Sequence, residues 1–134
     1  MIIKFAPKRA VNGQTLTSNS LPEITLEMDA SLRYLGEMRF TLIDVSRVEL
    51  FLFAESHEHV IQRLLVVQFE SYLPDNNFTY QYDPMEKVRL GEHNYMTDSS
   101  ALKFDRVLRR RPEGDIAHWL HWLKRQGYDY TRFN

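Results

Sequence analysis

A chain of 134 residues with a formal charge of −1, 43% apolar and 26% charged, is not disordered throughout and carries no global field to recruit nucleic acid or anionic lipid. Its length suits one domain, residues 1–134, with a core built without staples. No cysteine is present, which removes disulfides, thiolate nucleophiles and cysteine-bearing zinc sites and suits a reducing compartment.

The opening residues Met1 to Arg9 lack the apolar run of a signal peptide, and no stretch approaches a membrane span. The cytoplasm is the expected location, with no membrane partner. Residues 1–20 are turn-rich and read as a loosely ordered lead-in, with a short strand at Ile2–Phe5. The next segment, Pro22–Gly36, is ambiguous. Leu21, Ile24, Met28, Leu32 and Leu35 keep helical spacing, whereas Ile24, Leu26 and Met28 alternate as in a strand. Extended structure is favoured for its first half.

From residue 37 to 97 the pattern is a β-meander. Met38–Ile43, Arg47–Ala54, Val60–Leu73 and Phe78–Asp83 are β-branched or aromatic runs separated by turn chemistry. A last hairpin joins Val88–Leu90 to His93–Thr97 through Gly91-Glu92. Residues 100–127 turn helical. Ser99 or Ser100 caps a helix with Ala101, Phe104, Val107 and Leu108 on one face. Pro112 and Asp115 open a second helix, striped by Ile116, Trp119, Leu120 and Leu123 and stopped by Gly127. Strands followed by helices give an α+β fold: a twisted antiparallel meander or half-barrel with both helices packed on one face.

Hairpin offsets set which side chains share a face. Pairing Ala54 with Ile61 sets Leu50 opposite Leu65 and Val48 opposite Val67. One face then holds Val48, Leu50, Leu52, Leu65, Val67, Phe69 and Phe78, and suits the helices. The other holds Glu49, Phe51, Phe53, Leu64, Val66, Gln68, Glu70 and Tyr72, with Met38, Phe40 and Leu42 added by a short turn. A sheet open to water alternates apolar with polar, and this one does not. Water cannot be the neighbour of such a patch. Its cover is a half-barrel around a cavity, a second subunit, or the amino-terminal segment.

The run Arg63-Leu64-Leu65-Val66-Val67-Gln68-Phe69-Glu70-Ser71-Tyr72-Leu73-Pro74, followed by Tyr80-Gln81-Tyr82, resembles a strand hairpin of small bacterial proteins of unknown function. The resemblance spans about a third of the chain and implies no activity.

Few residues suggest chemistry. His57 with His59, and His118 with His121, are pairs without a third ligand, so no metal or other cofactor is expected. No glycine spacing fits a phosphate loop and no Gly-x-Ser-x-Gly exists. Lys103, Arg106, Arg109, Arg110 and Arg111 make a basic helix end, better read as dipole compensation than as a nucleic-acid site. The sequence therefore favours a non-catalytic accessory protein. It would bind a small, partly apolar molecule on the helix-free face, walled by Phe51, Phe53, Leu64 and Val66 and oriented by Glu49, Gln68, Glu70 and Tyr72. A homodimer through that face is the alternative; a hydrolase or isomerase with Glu70 as base is disfavoured.

Overall fold

A computed structural model describes residues 8–78 and 86–131. The expected strands at Ile2–Phe5 and over residues 79–83 lie outside the described residues. The architecture is α+β, with eight antiparallel strands in three open sheets and two carboxy-terminal helices among the described residues. The half-barrel alternative is not adopted.

The amino-terminal segment is a sheet, not a lead-in. Strands β1 (Arg9–Asn12), β2 (Thr15–Ser18) and β3 (Ile24–Glu27) pair in that order. Gly13, at φ 61°, makes the first turn, a conformation glycine adopts without Cβ strain. Arg9, Val11, Leu16, Ser18, Ile24 and Leu26 share one face by register. Leu16 is 0% exposed and Ser18 is buried, so that face is the inner one.

The central sheet orders β4 (Arg33–Leu42), β5 (Ser46–His57) and β6 (Val60–Tyr72). β4 begins five residues before the sequence-predicted start; its extended chain replaces the helical reading of Leu35, and Leu32 closes a turn by donating to the Asp29 carbonyl at 2.9 Å. From Val48 to Ala54 only Glu49 is not fully buried, because β5 is the middle strand of the middle layer. Leu16 and Leu32 form one core with Phe51 and Phe53, joined by Leu65, Val67 and Phe69. Val48, Leu50 and Leu52 form a second core with Leu64, Val66, Trp119 and Trp122. The layers are thus amino-terminal sheet, central sheet and helix.

The expected face assignment is corrected for β6. The turn between β5 and β6 is only Glu58-His59, both at positive φ (50° and 65°), with His57 opposite Val60. Ser56 therefore faces Ile61, a two-residue slide from the expected Ala54 partner that leaves the faces unchanged. A bulge follows: Glu55 pairs with Arg63, so Gln62 is the extra residue. From there every β6 side chain changes face, since side chains alternate with period two. Leu52 lies opposite Val66 and Phe51 opposite Val67. β4 departs similarly: Met38 pairs with Leu50 and Phe40 with Val48, putting Met38, Phe40 and Leu42 under the helix.

Hairpin β7 (Glu86–Leu90) and β8 (His93–Thr97) matches expectation within two residues. Helix α1 (Phe104–Arg110) starts later than expected. Lys103 at its N-cap is extended and no side chain caps it, so neither Ser99 nor Ser100 has that role. Phe104 packs edge-on against Trp119 at 5.8 Å. Phe78, expected in the core, is 61% exposed. Helix α2 (Asp115–Arg125) buries Ala117, Leu120 and Leu123. After it the chain joins β6 through Asp129, whose carbonyl accepts from Ile61 N–H at 2.9 Å.

Trp122 lies over Gly36, where a Cβ would fall 2.7 Å from its Cζ2 and 2.9 Å from its Cη2. Gly36→Ala is expected to cost about 1–3 kcal/mol by overpacking, read as a lower urea midpoint at constant m. An unchanged midpoint would show that the indole can swing aside.

Candidate functional site: the cleft between the two sheets

The two sheets meet tightly at one end and part at the other. Val11, Leu16 and Met28 pack over Phe51 and Phe53 at the closed end. At the open end lies a cleft of about 1000 Å³. Its apolar lining comes from Leu21, Ile24, Leu26, Val67, Phe69 and Tyr95. Its polar lining includes Lys8, Arg9, Arg39, Arg47, Glu49 and Ser71.

Arg9 is the strut at this end. Its Nε donates to Ser18 Oγ at 3.1 Å and its Nη2 to the Leu21 carbonyl at 2.8 Å. The guanidinium carbon lies 4.0 Å from the Phe69 ring centroid, a cation–π contact between sheets. Arg9 Nη1 also stands 3.9 Å from Glu49 Oε1. Glu49 is held from its other side by Arg39, whose Nε donates to Oε2 at 2.9 Å. Arg39 reaches Glu37 as well, at 3.1 Å. Glu37 foremost, with a smaller contribution from Glu49, pushes the Arg39 guanidinium up, against the opposing effect of partial burial. Glu49 Oε1 is buried and has no hydrogen bond among the described residues; on that side Arg9 acts on the carboxylate through its field, while Arg39 hydrogen-bonds the other oxygen.

A second tie lies beyond the cleft. Arg63 Nε donates to Glu55 at 2.6 Å, and its guanidinium donates to the Ser31 hydroxyl. Asp29 takes the Ser31 N–H at 2.9 Å. These hydrogen bonds from Ser31, and then the field of Arg63, lower the Asp29 carboxyl below its ordinary value.

The eight residues grouped by the sequence are not gathered into one wall. Phe51 and Phe53 face the amino-terminal sheet at 0% exposure. Leu64 and Val66 lie under Trp119 and Trp122. Gln68 donates to Asp115 at 3.2 Å, and Glu70 accepts from Ser46 Oγ at 2.8 Å. Tyr72 packs near Phe78, centroids 5.9 Å apart. Glu49, Gln68 and Glu70 do line the cleft, but the hydrogen bonds of the latter two point to the helix side. The residues missed by the sequence reading are Lys8, Arg9, Arg47 and Phe69. Arg39 opposite Glu49 was the one pair with a legible signal, given the correct first-hairpin offset.

The histidine pairs do not converge. His118 stacks on Phe40 at 3.9 Å, His121 is exposed, and His59 packs near Tyr128. Among the described residues no three of His, Asp and Glu come together as a metal-sized group. Likewise among them, no helix is long and apolar enough to cross a membrane. On α1 the exposed Arg109 reaches only Asp105, at 3.9 Å. No protein-family model matches the chain, and neither a curated protein nor a solved structure matches it.

Proposed function

We propose that this protein binds a small, partly apolar molecule in the cleft between the amino-terminal and central sheets, and that it acts as a binding protein rather than as a catalyst. The observation that carries this reading is the cleft itself. A volume of about 1000 Å³ lies at the upper end of the range for small-molecule sites, and apolar walls with a few placed polar groups are how such sites recognise ligands. The apolar part of the sheet face is already covered by the chain's own β1–β3 layer. A ligand therefore enters beside that layer, over Phe69 and Val67, and not onto Phe51 and Phe53.

The test is a thermal-shift and calorimetric titration with 1-decanol and decanoate. A ligand at 100 times its dissociation constant adds about 2.7 kcal/mol to stability. Ser71 is exposed and lines the cleft. Ser71→Trp is expected to fill the mouth and remove that stabilisation while leaving the unliganded protein as stable as before. Stabilisation that persists in Ser71→Trp would place the ligand elsewhere, and none with either compound would remove the reading.

A further inference from the structure

We infer that the cleft selects an anion: its ligand carries a carboxylate or phosphate head on an apolar body. The inference rests on the cleft reading above and adds the head group. Four cations and two carboxylates line the cleft, in a chain whose formal charge is −1. They are not equivalent. Glu49 is neutralised by Arg39 at 2.9 Å and Arg9 at 3.9 Å, with Glu37 taking the rest of Arg39. Glu70 accepts from Ser46 and from Gln68 Nε2, the latter at 3.2 Å; both donors are neutral, so it keeps its negative charge, with these bonds turned to the helix side. Lys8 and Arg47 remain. Both are exposed, and among the described residues neither has an ion-pair partner.

Both line the cleft. Arg47 precedes Glu49 by two residues on the same face of β5, a spacing of about 6.6 Å along a strand, which puts it beside the Arg9–Glu49 contact. Phe69, Val67 and Ile24 supply the apolar lining. Arg47 offers a planar fork matched to carboxylate and phosphate oxygens, and Lys8 a mobile point charge. Against Glu70 these two cations leave one positive charge in excess, which a cationic or neutral head does not meet.

The experiment compares decanoate, decyl phosphate, 1-decanol and decylamine by calorimetry on the full chain. The anions are expected to bind at least about tenfold tighter than the alcohol, the scale of one charge-assisted hydrogen bond. Decylamine is expected to be weakest. Arg47→Gln with Lys8→Gln should erase the anion advantage, read as the ratio of anion to alcohol affinity within the same protein. Either anion satisfies the inference, and the tighter of the two separates a carboxylate ligand from a phosphate one. Equal binding of alcohol and anion overturns the anion inference while leaving the cleft as a site, and an anion advantage that survives the double substitution overturns its assignment to Lys8 and Arg47. No binding by any of the four overturns both.

Discussion

Phe51→Ala is expected to cost about 3–5 kcal/mol, the range for truncating a buried aromatic without relaxation of its surroundings. Phe51 is 0% exposed and meets Phe69 edge-on, with centroids 6.1 Å apart. That core joins Leu16, Val11 and Leu26 of the amino-terminal sheet to Phe53, Leu65 and Val67 of the central one. Against a typical total stability of about 5–15 kcal/mol the loss is large. Phe51→Asp, which adds a buried charge without a partner, is expected to prevent folding. Chemical denaturation with light scattering on the wild type checks the point. The cost belongs to the chain's own layers if it appears in a monomer. A cost below 1 kcal/mol in Phe51→Ala would mean that β1–β3 does not cover this ring in solution.

Leu16→Ala is the complementary substitution, made in the cover itself. Leu16 sits on β2, the middle strand of the amino-terminal sheet, and is 0% exposed. It pairs with Val11 and Leu26 and reaches Phe51 and Phe53. An expected loss of about 2–5 kcal/mol follows from the cavity left behind. Its distribution is informative. The strands of this sheet are four residues each, and the apolar part of their inner face is small, so the layer should open before the central sheet does. Hydrogen exchange in Leu16→Ala is expected to rise first in β1–β3, with β5 amides following only at global unfolding. Equal acceleration in both layers would instead make the molecule a single cooperative unit.

Several features were legible before any coordinates. The run Val48-Glu49-Leu50-Phe51-Leu52-Phe53-Ala54 breaks the alternation of a sheet that faces water. Burial on both sides of β5 follows from that alone, and the structure places it between two layers. The helical stripe of α2 and the hairpin at Gly91-Glu92 were equally plain, since a 3.6-residue period and a glycine turn are local signals. Trp122 is placed by Gly36, the residue without a side chain beneath it.

What the sequence by itself determined is the class of the fold and the need to cover both faces of β5, because apolar side chains at consecutive positions of a strand cannot both be left in water. What only the tertiary structure decided is which β6 residues share a face with Phe51. The β5–β6 turn is Glu58-His59 in a conformation usually filled by Asn-Gly, and the bulge residue is Gln62, not glycine. Neither carries a local mark, yet one extra residue moves every later side chain across the sheet. The cover was hidden for a related reason. Arg9–Asn12, Thr15–Ser18 and Ile24–Glu27 are short and mostly polar, and strands of that kind become a layer only when a larger apolar surface is there to receive Leu16.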